Sequence, residues 1–150
     1  MTELHPVGVA DAEDVRAFLT ANDLTVAGLG DPGVRLWAVR DTAGSVVGST
    51  GFETSPDGRH ALLRSVAVDP AFRASGTGTR LARFAMAQAA STGAGRAWLF
   101  SRRSGPFWQA LGFTPADRDA LATALAGTTQ VALFRSTGQL AQEVAWSRPL

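Results

Sequence analysis

Arg73, Gly76 and Gly78 follow an apolar run, Val66-Ala67-Val68, with Asp69-Pro70-Ala71-Phe72 between them. Residues of these types at this spacing suit the capture of an anion. A buried strand would run into a loop, and the loop would become a helix near Gly76 to Thr79. Small residues there let a ligand approach the main chain, and the amides of a first helical turn have no partner inside the helix. With the helix dipole they favour negative charge, phosphate above all. The candidate contacts are the main chain of Ala74, Ser75, Gly76, Thr77, Gly78 and Thr79, with Arg73 closing over the anion in a forked, two-point contact.

Known phosphate loops narrow the choice. A Walker loop needs a lysine on the phosphates, and this chain has no lysine. A dinucleotide fingerprint needs a third glycine and an acidic residue about 20 positions on. Here Leu81 stands at the third glycine, and Arg96-Ala97-Trp98 occupies the later stretch. Two readings remain: the pattern Arg73-x-x-Gly76-x-Gly78 as a phosphate loop of another kind, or a glycine-rich helix start that binds nothing.

Composition removes other chemistries. All 14 cations of the 150 residues are arginine, and Cys and Tyr are absent as well as Lys. Without Cys there are no disulfides, thiolate metal sites or cysteine nucleophiles. Without Lys there is no Schiff-base chemistry. His5 and His60 are too few for a histidine cage, so no metal is expected. Net charge is +1 with no run of like sign, which gives no footprint for nucleic acid. No apolar run reaches the ~18 residues of a membrane span. The residues Met1 to Pro6 show no basic stretch ahead of an apolar one. A single cytoplasmic domain over residues 1–150 is therefore expected, with a 45% hydrophobic content ample for a core.

The elements that must position the loop are legible in outline. A first strand is expected within residues 3–9. Asp11-Ala12-Glu13-Asp14 opens a helix that buries Val15, Phe18 and Leu19. Thr25 to Gly33 reads as one more helical turn and a loop. Val34–Val39, Ser45–Glu53 and His60–Val68 are strands joined by the turns Asp41–Gly44 and Ser55–Gly58, which implies an antiparallel meander. A helix over Gly76–Thr92 ends at Gly93, and Arg96–Phe100 is a fifth strand. Gly105-Pro106 starts a short helix carrying Phe107 and Trp108, closed by Gly112. Asp117 to Leu125 is predicted helical, and Val131–Phe134 and Val144–Trp146 are predicted strands. The order gives a mixed α+β sheet.

On these residues the chain resembles the GNAT superfamily of acetyl-CoA-dependent N-acetyltransferases. Ser65-Val66-Ala67-Val68-Asp69-Pro70 looks like the strand ending before that family's R-x-x-G-x-G/A loop, matched here by Arg73, Gly76 and Gly78. Phe107-Trp108-Gln109-Ala110-Leu111-Gly112-Phe113 is similar to its aromatic helix ending in L-G-F. The match in order and spacing runs over residues 3–113. A narrower likeness, through Gly51-Phe52-Glu53, Ala61–Val68 and Ala116-Asp117-Arg118, is to the small acetyltransferases of bacterial arsenic-resistance operons, a group linked to acetylating arsinothricin and related to phosphinothricin acetyltransferases. Gln130–Phe134 and Ser101-Arg102-Arg103-Ser104 depart from that group's pattern.

The resemblance implies a central, mostly antiparallel sheet with parallel, splayed fourth and fifth strands, flanked by helices. It also implies an amine attacking the thioester of acetyl-CoA directly, in keeping with the absence of Cys. The diphosphate would sit on residues 73–79, and pantetheine would lie along Val66, Ala67 and Val68 and against Phe107. Glu53, the acid of the central strands, is the candidate base acting through water; a strand-end surface glutamate is the alternative, and His60 is a weaker candidate. The family often protonates the leaving thiolate from a tyrosine. With no Tyr here, Ser101 or Ser104 acting through water is the substitute, or the thiolate leaves unaided. Arg64, a charge inside a predicted sheet, needs a ligand or a partner such as Glu53 or Asp69. With Arg35, Ser101 and Arg102 it forms the candidate substrate set, suited to an anionic amino-acid-like amine. Another small amine, or a non-catalytic acyl-CoA-binding module, is the rival function; a homodimer is the partner left open.

Overall fold

The computed structural model describes residues 3–150; the side chains of Ala74 and Ser75 lie outside the described residues. The sheet is built first from β1 (His5–Pro6), β2 (Val34–Arg40), β3 (Val46–Thr54) and β4 (His60–Val68), each antiparallel to the one before. Short polar turns join β2, β3 and β4, so neighbours in sequence become neighbours in space. The chain then crosses over through α2 (Thr77–Ser91) and returns as β5 (Arg96–Phe100), parallel to β4. A parallel return needs such a crossover, which is why a helix stands here. The sheet is completed by β6 (Thr114–Ala116) and β7 (Ala145–Pro149), in the order β1-β2-β3-β4-β5-β7-β6.

Helices cover both faces. Ala82, Ala85, Met86 and Ala89 of α2 pack on Phe52, Ala61 and Leu63, together with Trp108 of α3 (Gly105–Ala110). On the other face α1 (Ala12–Ala21) sets Val15, Phe18 and Leu19 against Leu36 and Ala38. The helices α4 (Arg118–Ala124) and α5 (Thr129–Thr137) enclose Leu62 with Leu121 and Val131. Leu62 and Leu63 thus feed different cores, as alternation along a strand buried on both faces requires.

Two departures from regular pairing shape the centre. Ser49 pairs with Ala67 but Gly51 pairs with Arg64, so Ser65 and Val66 together oppose Thr50. This is a bulge in β4, with Ser65 at φ 60° and its carbonyl held by the Ser49 hydroxyl at 2.6 Å. A bulge re-aims the strand beyond it. The second departure is that β4 and β5 pair only over His60–Leu62 with Arg96–Trp98. Beyond Leu62 the strands separate and leave a V-shaped opening.

Ser65→Val places a β-branched residue at a positive φ, a strain of roughly 1–3 kcal/mol. The variant should lose about that much in a urea titration, whereas Ser65→Gly should lose less than 1 kcal/mol. Asp57, in the turn between β3 and β4, is held below its ordinary 3.8 by the Ser55 hydroxyl and then by the Arg59 amide. The turn contact is complete above about pH 3.8 and is lost as pH falls through the lower folded value. The Arg59 amide resonance should therefore shift only below pH 3.8.

The structure corrects three expectations. Val131–Phe134 belongs to α5 rather than to a strand. Its Thr128 cap, which accepts from the Val131 amide, and Gly138 at φ 77° bracket one helix, and apolar residues on one side of a short helix resemble a buried strand. Thr25 to Gly33 forms turns without a helix. The short β6 was not expected, because Thr114-Pro115-Ala116 has a proline and no alternation; it pairs at the sheet edge, where a proline is tolerated.

Candidate active site

A cleft of about 930 Å³ lies in the opening between β4 and β5. Val66, Ala67 and Val68 form one wall, and Phe100 and Ser101 the other. Asp69 donates its amide to Val47 of β3. Since successive amides of a strand point to opposite sides, the Val68 N–H turns toward the cleft, where no β5 residue pairs with it.

The loop after β4 delivers the anion-seeking groups to one end of this cleft. Asp69 caps the turn by accepting from the Ala71 amide at 2.9 Å. A 3-10 segment, Pro70–Ser75, then leads to Gly76 at φ 74°, a left-handed position that glycine adopts without strain. Gly76 provides no side-chain cap to α2, which leaves the first-turn amides, those of Gly78 and Thr79 among them, without that acceptor. A Cβ at Gly76 would meet nothing within 4 Å, and one at Gly78 would touch Phe107 at 3.6 Å and Val68 at 3.8 Å. Gly78 therefore sits in a narrow gap between α3 and β4. Arg73 is tethered by its Nε to the Val68 carbonyl at 2.9 Å. No described residue holds its two Nη groups, which leaves a forked donor beside the helix start.

Of the residues expected from sequence, Val66, Ala67, Val68, Arg73, Gly76, Gly78, Thr79 and Phe107 line the cleft, and so do Ser101, Arg102 and Ser104. Thr77 is buried behind the loop. Ala74 and Ser75 were expected for their main chain, and their side chains lie outside the described residues.

Glu53, Arg64 and Arg35 stand elsewhere. Glu53 is 3% exposed beneath the start of α5. Its Oε1 accepts from the Thr129 amide at 2.7 Å. Its Oε2 accepts from the Thr129 hydroxyl, the Gln130 amide and Arg64 Nη1 at 2.9, 3.3 and 3.0 Å. These four bonds engage both oxygens of a buried carboxylate that is not among the cleft-lining residues. Arg64 has found its partner in this pair rather than in a ligand. Burial lowers its pKa, and the Glu53 charge and hydrogen bond oppose that shift. Arg35 lies over the Phe52 ring at 5.8 Å. His60 begins β4, with Nδ1 accepting from Trp98 Nε1 at 3.0 Å, at the end of the strand away from the opening.

Groups unmarked in the sequence take the vacated place. Gln130, Gln139 and Glu143 line the cleft opposite the loop. Glu143 is 8% exposed, and its Oε2 accepts from Gln139 Nε2 at 2.9 Å and pairs with Arg102 Nε at 3.4 Å. At the mouth, Arg103 faces Asp23 at 3.9 Å. The caps Thr128 and Gly138 were a readable signal for α5, and hence for Gln130 on its first turn. No local signal marks Glu143.

A parallel pair of strands that splays at a bulge, with a helix start and an arginine aimed into the gap, defines an acyl-CoA-handling fold of one type. The sequence profile of the acetyltransferase (GNAT) family matches residues 5–113, and the chain belongs to this family. The fold is also that of solved GNAT structures. N-acetylglutamate synthase from Neisseria gonorrhoeae, complexed with coenzyme A and N-acetyl-glutamate, superposes with a TM-score of 0.77 at 18% identity, over 100% of this chain and 36% of that one. This chain thus spans about a third of the gonococcal enzyme. A GNAT-family acetyltransferase from Staphylococcus aureus Mu50 gives 0.76 at 14% identity, over 100% and 99% of the two chains. A Mycobacterium tuberculosis protein in complex with CoA gives 0.74 at 16%, over 99% of each. No curated protein matches the sequence. Among the described residues no group of side chains could hold a metal, and no helix is long and apolar enough to cross a membrane.

Proposed function

We propose that this protein transfers acetyl from acetyl-CoA to the amine of a small, amino-acid-like molecule. The observation that carries the reading is the convergence of the unpaired β4 edge, the open start of α2 and the Arg73 fork on one cleft. The residues fit the coenzyme: open space at Gly76, first-turn amides at Gly78 and Thr79 with no side-chain cap from Gly76, and a guanidinium whose Nη groups have no acceptor among the described residues suit a diphosphate. Acetyl-CoA supplies a thioester carbonyl already activated toward an amine. The Val68 amide faces the gap as a hydrogen-bond donor, and an oxyanion donor of that kind contributes ~2.7–4 kcal/mol to acyl transfer. Phe107 closes the side of the gap against Gly78. Ser104, at the start of α3, lines the cleft and is the candidate to relay a proton to the departing thiolate.

The acceptor class follows from charge. Beyond the diphosphate end the cleft carries Asp23 and Glu143 against Arg102 and Arg103. Acids and bases of equal number suit a molecule bearing both an ammonium and an acid group. Amino-acid toxins such as arsinothricin and phosphinothricin belong to this class, and the sequence blocks quoted above favour them. The test is free-thiol release from acetyl-CoA with zwitterionic, cationic and neutral amines. Zwitterions should turn over at least ~10-fold faster in kcat/KM than diamines of similar size, a difference of about 1.4 kcal/mol. Tight coenzyme binding without turnover on any amine would instead support a binding module.

A further inference from the structure

Glu143 and Gln130 are two polar groups of the cleft whose bonding within the protein is incomplete. Glu143 spends both its contacts on Oε2, toward Gln139 and Arg102. No described residue bonds Oε1. Gln130 Oε1 is the buried side-chain atom that lacks any partner among the described residues, and its residue is 8% exposed. A buried amide without a partner costs free energy unless something bonds it.

Both residues are held from outside. The Gln130 main-chain N–H donates to Glu53 Oε2, and the carbonyls of Ala141 and Glu143 accept from Arg118 Nη1 at 2.7 and 3.3 Å. The carboxylate is thus aimed by Arg102 from the β5–α3 loop and by Gln139 from the segment before it. Ser101, at the end of β5, binds the Val144 carbonyl at 2.9 Å, which ties Glu143 to the cleft wall. An ordered carboxylate with one open oxygen facing a cleft is suited to hold an ammonium and take its proton.

We infer that Glu143, with Gln130 lining the same cleft, binds the acceptor ammonium and is the base that deprotonates it. The inference rests on the acetyltransferase reading and deepens it. In the step, one N–H proton passes to Glu143 Oε1, and the freed lone pair forms the bond to the acetyl carbon. The C–S bond breaks with its pair on sulfur, and a second N–H proton ends on that sulfur. Glu143 then releases its proton to solvent. The charged groups around the carboxylate are Arg102 at contact distance, Arg118 on the main chain of the same residue, and Asp23 and Arg103 across the mouth. Arg102 and Gln139 act on the reaction only through Glu143 and are positioning residues.

The experiment compares wild type with Glu143→Gln and Arg102→Ala, using acetyl-CoA and the panel of zwitterionic, cationic and neutral amines from pH 6 to 10. Glutamine keeps the size of the side chain and can still accept from Gln139 and Arg102. For an ammonium of pKa ~10 the free amine is about 10⁻³ of the total at pH 7. Glu143→Gln should therefore lose on the order of 100- to 1000-fold in kcat/KM at pH 7 and recover toward wild type near pH 10. Coenzyme A affinity by calorimetry and the melting temperature should stay unchanged. Arg102→Ala should show a smaller loss, on the order of 10-fold, with its pH profile displaced. Wild-type turnover with an unaltered profile in Glu143→Gln overturns the assignment and leaves the enzymatic reading standing. A wild type that binds coenzyme A and acetylates no member of the panel overturns both.

Discussion

Replacing Glu53 by alanine should lower the unfolding free energy by about 3–5 kcal/mol, the cost of removing one partner from a buried ion pair. The value is large because the carboxylate serves three donors besides Arg64: the Thr129 amide, the Thr129 hydroxyl and the Gln130 amide. Its loss strands the Arg64 guanidinium, whose side chain is 0% exposed, and the first-turn amides of α5. For a chain of this size the melting temperature should fall by roughly 10 °C. Arg64→Met should cost less, since Glu53 keeps the start of α5 as its counter-charge. Urea titrations of both variants measure this. Activity distinguishes structure from chemistry: at 10 °C, where the variant is still folded, Glu53→Gln should reduce turnover by a factor that does not change with pH. Turnover that recovers in alkali would return the base role to Glu53.

Replacing Gly76 by glutamate should weaken coenzyme A binding by on the order of 100-fold. A carboxylate about 5 Å from a phosphate, at an effective dielectric near 20, opposes binding by about 3 kcal/mol. The space is open at this position, with nothing within 4 Å of a Cβ, so the side chain projects into the region meant for the anion. The left-handed backbone, φ 74°, adds strain to any substitution. Gly76→Asn separates the two effects, because asparagine tolerates this conformation and carries no charge. It should bind coenzyme A within about 10-fold of wild type. Calorimetric titration with coenzyme A gives both numbers. Equal affinity for wild type and the glutamate variant would remove the diphosphate from this loop.

The candidate diphosphate loop was legible because every part of it lies within one stretch, from Val66 to Thr79. Local rules operate over that length: an apolar strand, Asp69 capping a turn, glycine at the left-handed position, and an arginine a few residues before it. The same locality fixed β2, β3 and β4 through their hairpin turns, and α2 through its periodic alanines and Leu81. The expected parallel return of β5 has the same origin, a helix between two strands. The acceptor side is built differently. Glu53 was expected at an open strand end, but Thr129 and Gln130, just ahead of the residues expected as a strand at Val131–Phe134, rest on it. Arg64 was expected to need a partner, and Glu53 was among those weighed, but which one it takes depends on the register of β3 and β4.

By itself, then, the amino-acid order determined the family, the sheet's central hairpins and the glycine turn that opens α2, because strand pattern, turn chemistry and helix caps act between near neighbours. The packing of α5 and of the segment before β7 onto the splayed sheet decided which carboxylate is saturated and which faces the cleft. Glu53 and Glu143 are the same residue type with comparable burial. Only the donors brought to them by distant parts of the chain separate a structural anchor from a group with an oxygen left to use.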